Sequence, residues 1–200
     1  MIIDTEGMTF GLGQGGLSYA IYTETALVLV NGKHPRVLYH ATLNYDFRSE
    51  LAWLDRAYPA TAGRHWATLR YAQRCNGCPS YNYGGVAAST AYSDICDIIA
   101  HYHHSVHLWA KGPSLEQRFL AGLSREAVNM REELPHLRHI GDLTDIGCPR
   151  FENLPDAMRD KAWKYVSDAH VTRFHSCTSA PHCCAVECVA MALWYNSLQK

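Results

Sequence analysis

The stretch Met1–Gly7, "MIIDTEG", decides how the rest of the chain is read. Three apolar residues run into two acids, Asp4 and Glu6, set two positions apart. In a strand, successive side chains alternate between faces, so both carboxylates point to the same side. Two like charges aimed together from the end of an apolar strand repel each other unless a cation lies between them. The plainer reading is a solvated strand end with two surface acids. The choice depends on what the remaining chain brings to the same place.

Downstream the chain turns β-rich. The glycine-rich "FGLGQGG" is followed by two strand-like stretches, "LSYAIYT" and "TALVLVN", and by a third, "RVLYHATL". Apolar residues then recur at helical spacing from Ser49 to Gln73 (Leu51, Leu54, Trp66, Leu69), with a break at Pro59. A loop, "CNGCPSYNYGG", leads into a helix over Ala87–His103. Strand "SVHLWAKG", helix "SLEQRFLAGLS", strand and loop "LRHIGDLTDIG", helix "PDAMRDKAWKYV" and a last helix after Pro181 complete the pattern. Strands first, then alternating helix and strand, predict an α/β fold with a mixed sheet flanked by helices. No repeat, low-complexity tract or long linker divides residues 1–200, so a single domain is expected. "GLGQGG" satisfies a dinucleotide-binding spacing at Gly11, Gly13 and Gly16, but a strand follows where that motif needs a helix. A loop beside the site is the better reading.

Composition narrows the function. With 48% hydrophobic and 18% charged residues, 200 residues build one substantial core. A net charge of −1 excludes a bulk electrostatic nucleic-acid binder, though not an enzyme that holds a nucleic-acid end in a local groove. An aspartate at position 4 is no secretory signal, and no apolar run reaches membrane-spanning length. A soluble cytoplasmic protein without membrane partners is the expectation. Its eight cysteines then read as reduced thiols or metal ligands rather than a disulfide framework.

Two further segments carry chemistry. In "WAKGPSLEQRFL", Glu116 opens a helix after an apolar strand, where an acid also suits the helix dipole. In "SAPHCCAVECVAMALW", Val186, Val189, Ala190, Leu193 and Ser197 follow a core stripe, with Glu187 beside it and His182 just ahead of the helix. Alone, each has an ordinary structural reading. As an ordered set, D-x-E, a middle acid and H-x-x-x-x-E resemble the DEDDh 3′–5′ exonucleases. "DTEG" matches the first motif, "KGPSLEQRFL" the second and "HCCAVE" the third. Glutamate replaces the usual aspartate at 116 and 187, which shifts each carboxylate by a methylene. The chain is most similar to viral members, the arenavirus nucleoprotein exonuclease domain and the coronavirus proofreading exonuclease.

That resemblance implies an RNase H-like mixed five-stranded sheet with Asp4 on its central strand. It implies two Mg²⁺ or Mn²⁺ ions held by Asp4, Glu6, Glu116 and Glu187, with Asp4 between them and His182 as general base. The implied partner is the 3′ end of a nucleic acid, RNA in preference to DNA. A structural zinc is expected near residues 170–184, where His170, His175, Cys177 and Cys183 form a mixed Cys/His set. Cys75 and Cys78 make a C-x-x-C half-site whose completion would fall to Cys96, His101, His103 or His104. Tyr81 and Tyr83 in the adjoining loop read as loop packing or as stacking surfaces for bases. Two rival functions stay open: a zinc-stabilised nucleic-acid-binding module without catalysis, and a Cys–His thiol hydrolase using Cys183 or Cys184 beside His182.

Overall fold

The computed structural model of the chain describes residues 1–13, 17–32, 34–76, 80–102, 106–121, 128–129, 140–168 and 183–199. Eight strands, six α-helices and short 3₁₀ turns are assigned among them: β1 (Ile2–Gly11), β2 (Leu17–Asn31), β3 (His34–Thr42), β4 (Tyr45–Asp46), α1 (Phe47–Ala57), α2 (Arg64–Asn76), β5 (Tyr81–Asn82), α3 (Ala88–Tyr102), β6 (Leu108–Ala110), α4 (Ser114–Leu120), β7 (Val128–Asn129), β8 (Ile140–Asp142), α5 (Asp156–Asp168) and α6 (Cys184–Leu198). No helix among the described residues is long and apolar enough to cross a membrane.

The fold is α/β. Five strands run in the order β3-β2-β1-β6-β8, and β7 adds a short sixth strand against the start of β2. The β1, β2 and β3 pairings are antiparallel, whereas β6 and β8 join in parallel, so the sheet is mixed. β1 occupies the middle, as the expected placement of Asp4 requires. Period-2 alternation sorts the sheet's side chains between its faces. Ile2, Ala26 and Val28 pack toward α5 and α6 in one core cluster, and Ile3, Leu27 and Leu29 toward α3 and α4 in another. A third cluster, around Phe10, Tyr19 and Ile21, is covered by α1 and α2.

Three local expectations change. The two strand stretches after the glycine loop are one continuous strand, β2, because Glu24 and Thr25 pair with both β1 and β3 and the Thr23 carbonyl accepts the Leu43 amide, instead of the chain turning. β1 likewise runs on through the glycines to Gly11. A register shift between Glu6 and Gly7 makes this continuation possible. At Gly7 a Cβ would stand 2.6 Å from the carbonyl oxygen of Ile21, so the close approach of β1 to β2 next to Glu6 needs glycine. Finally, α6 is buried as its apolar run implies, but around more of its circumference than the one stripe ending at Ser197. Cys184, Ala185, Val186 and Cys188 to Ala192 are all buried, while Ser197 is exposed. A helix apolar all round belongs inside a core. The helical break at Pro59 appears as expected, as a 3₁₀ turn over Pro59–Thr61.

Candidate metal centre

Strand β1 presents Asp4 and Glu6 on the face that packs against α6, and Glu187 stands in the first turn of that helix. Ligand oxygens of Asp4, Glu6 and Glu187 all lie within 4.8 Å of one another. Glu116 arrives by a different route. Strand β6 pairs with β1 only at Ile2, opposite Trp109. Beyond that point the β1 edge has no strand partner on this side among the described residues, and α4 packs against β1. Glu116 Oε1 accepts the backbone N–H of Thr5 at 3.0 Å, between Asp4 and Glu6. Glu116, from α4, therefore stands against the backbone between Asp4 and Glu6, beside the three acids that β1 and α6 bring together at the middle of the sheet.

The electrostatics of this meeting are unfavourable in the protein alone. Burial pushes the Asp4 carboxyl well above its usual range, and the fields of Glu187, Glu6 and Glu116 add to the push; the Cys184 thiol, bonded to it, partly offsets both. Glu187 is pushed up to about 8 by burial, then by Glu6 and Glu152, with Lys111 opposing. Glu6 is pushed up to about 7 by burial and by Glu24. Glu116 also rises to about 7 through burial, despite the amide bonds it accepts. Two carboxylate oxygens, Asp4 Oδ2 and Glu116 Oε2, are buried with no hydrogen-bond partner among the described residues. Unpaired buried acceptors are rare because each carries its full desolvation penalty. An all-oxygen set with orphaned acceptors fits a hard divalent cation such as Mg²⁺ or Mn²⁺.

A second cluster adjoins the first on the same face. Glu24 lies directly across from Glu6 in the β1–β2 ladder. Its Oε1 meets His40 Nε2 at 2.8 Å and accepts the Cys184 backbone N–H at 2.9 Å. That second bond caps α6, whose N-cap residue Cys183 offers no side-chain cap, and it places negative charge at the positive end of the helix. Donor atoms of Glu24, His40 and Cys183 also lie within 4.8 Å of one another. Burial disfavours charge on His40, yet its bonds to Cys183 and Glu24 outweigh burial and raise its pKa.

Of the residues expected at a site, Asp4, Glu6, Glu116 and Glu187 come together. His182, His170, His175, Cys177 and Cys78 lie outside the described residues, as do His103 and His104, and nothing is described of the Cys75 side chain. Cys183 is placed beside Glu24 and His40, neither of which was in its expected ligand set. Sequence reading missed both because a single acid or histidine in a strand looks like an edge residue. The available signal was Glu24 itself, a carboxylate inside the continuous run from Tyr19 to Val30, the same anomaly that draws attention to Glu187 in α6. Lys111 was also missed; it follows β6, donates to the Pro149 carbonyl at 2.6 Å and is the cation acting on Glu187. Cys96 bonds with Tyr92, and the His101 ring packs edge-on against Tyr102. No family model, curated protein or solved structure matches the chain.

Proposed function

We propose that this protein is a divalent-metal-dependent 3′–5′ exonuclease of the DEDDh type on an RNase H-like sheet, acting on RNA in preference to DNA. The observation that carries the proposal is the gathering of Asp4, Glu6, Glu116 and Glu187 from β1, α4 and α6, with two buried oxygens that have no partner among the described residues. A binding module has no use for mutually repelling buried acids. A phosphodiester hydrolase does, because Mg²⁺ or Mn²⁺ bound there supplies charge neutralisation and an activated water.

In this reading Asp4, Glu6 and Glu187 hold the metal directly, and Glu116 serves the second ion from across β1. The Thr5 amide fixes Glu116, and Lys111, just after β6, favours the ionised form of Glu187. His182, directly ahead of the N-cap residue Cys183, takes the proton from the attacking water, the role its place in the motif implies. The thiol-hydrolase alternative is disfavoured by burial. Cys184 is fully buried and its pKa is pushed well above the usual thiol value, by burial and then by Asp4, and only a thiolate attacks.

The test is direct. Incubated with 5′-labelled RNA and DNA oligonucleotides, the protein should shorten them from the 3′ end in Mn²⁺ and leave them intact in EDTA. Intact oligonucleotides under every divalent metal would refute the nuclease.

Glu24, His40 and Cys183 hold a structural zinc in the same reading. Their mixed oxygen, nitrogen and sulfur donors suit that ion, and one more donor completes a tetrahedral set, with His170, His175 and Cys177 as the candidates from sequence. After dialysis the wild-type protein should retain one zinc per chain, as measured by elemental analysis. Cys183→Ser should release it and lower the melting temperature by about 5 °C or more, on the scale of a lost buried metal site. Zinc retained by that variant would remove the assignment.

A further inference from the structure

Segment 47–83 carries charge that the chain as a whole lacks. It holds five arginines, Arg48, Arg56, Arg64, Arg70 and Arg74, against two acids, Glu50 and Asp55, in a protein of net charge −1. All five arginines are exposed. The same segment exposes aromatic rings, with Tyr71 at 65%, Tyr81 at 56% and Tyr83 at 63%. Tyrosine is normally at least half covered, so three such rings together mark a surface with a use.

Tyr81 in β5 and Tyr83 just after it are held in a fixed arrangement. Tyr81 and Tyr83 stack with ring centroids 5.0 Å apart and planes 19° from parallel. The Tyr83 hydroxyl donates to Asp46 Oδ2 at 2.7 Å, and Asp46 also caps α1, so ring and helix share one anchor. The Arg48 charge acts on Tyr83 from the first turn of α1. Gln73 Nε2 donates to Ser80 Oγ at 2.9 Å, tying the last turns of α2 to the residue before β5. Arg70 and Arg74, one turn apart on α2, are linked by a bond from Arg74 Nε to the Arg70 carbonyl.

The sheet links this surface to the acids. Glu6, Glu24 and Thr42 face one another across β1, β2 and β3, and Asp46, the pairing partner of Tyr81, comes four residues after Thr42. Four residues span at most about 14 Å. The acid cluster, being negative, cannot by itself hold a polyanion; grip on a strand must come from elsewhere.

We propose that Tyr81 and Tyr83, with Arg48, Arg70 and Arg74, form a platform for the single-stranded polynucleotide that trails behind the 3′ end. This rests on the nuclease reading for its orientation, not for its chemistry. Bases stack on the aromatic faces and phosphates meet the guanidinium groups, a combination that is indifferent to sequence.

Binding is measured by fluorescence anisotropy in EDTA, with 5′-fluorescein-labelled U20 and dT20, so that no cleavage intervenes. The Tyr81→Ala/Tyr83→Ala variant should weaken binding about tenfold or more, as loss of base stacking does. Tyr81→Phe, which keeps both rings and the Tyr83 bond to Asp46, should bind like wild type, and an unchanged circular dichroism spectrum shows that the alanine variant is folded. Arg70→Gln/Arg74→Gln should flatten the dependence of log Kd on log salt by roughly 1.4, two phosphate contacts' worth. Unchanged affinity in the alanine variant, or failure of the wild type to bind either polymer, overturns the platform. Platform-dependent binding without any metal-dependent trimming upholds it while removing the nuclease.

Discussion

Asp4→Asn should abolish metal-dependent trimming and, at the same time, make the metal-free protein more stable. The activity loss is expected to reach about a thousandfold, the scale on which losing one preorganised electrostatic group slows a reaction. The stability gain follows from the same geometry read without metal. Asp4 is buried in the fields of Glu187, Glu6 and Glu116 and has one oxygen with no partner among the described residues. At pH 8 the folded wild type must either keep that charge among like charges or take up a proton to remove it. The amide does neither, and its carbonyl still accepts the Cys184 thiol. A gain of about 4 °C in melting temperature is expected at pH 8 in EDTA, equivalent to 1–2 kcal/mol for a domain of this size. At pH 5, where the neighbouring acids are largely protonated, the difference should shrink. A variant that loses stability and activity together would mean that Asp4 serves packing, and the metal assignment would fall with it.

That trade-off explains why the site was readable at all. A carboxylate in an apolar segment is expensive unless compensated, so Asp4 after "MII" and Glu187 within "CCAVECVAMALW" stand out in a bare sequence. Strand alternation then places Asp4 and Glu6 on one face, and the order of the elements predicts the mixed sheet. What the sequence does not contain is register. Whether Glu24 lies across from Glu6 depends on a bulge at Gly7 and on one long strand where two were expected, and both are settled by pairing between distant residues. The neighbourhood of His40 and Cys183 is likewise created by packing α6 across β2 and β3, contacts that span more than 140 residues. Glu116 was legible as an acid at a helix start, yet its anchor, the Thr5 amide, is free only because β6 pairs so briefly with β1. Local rules find the acids; the sheet decides which of them meet.

The pH dependence of the metal-free protein should be inverted relative to that of most folded proteins. Glu6 and Glu116 titrate at about 7 and Glu187 at about 8 in the folded state, against an ordinary 4.5. Between about pH 4.5 and pH 8 the folded chain therefore binds protons that the unfolded chain has released. Stability falls wherever the native state holds more protons, so it is greatest below this window and is lost as pH rises through it. Asp46 and Asp142, held below their ordinary range, pull the other way, but they act in acid below the window. In EDTA the melting temperature should drop by about 5 °C or more between pH 5 and pH 8, since each kcal/mol is worth 2–4 °C at this chain length. Millimolar Mn²⁺ should erase the slope and stabilise the protein most at pH 8, because a cation binds only the deprotonated cluster. At a hundredfold excess over its dissociation constant the gain is about 2.7 kcal/mol, or roughly 5–10 °C. Calorimetric melts at pH 5, 6.5 and 8, with and without Mn²⁺, measure both effects. A melting temperature that is flat or rising with pH in EDTA would show that the four carboxylates do not share one buried site, and neither metal binding nor catalysis could then be located there.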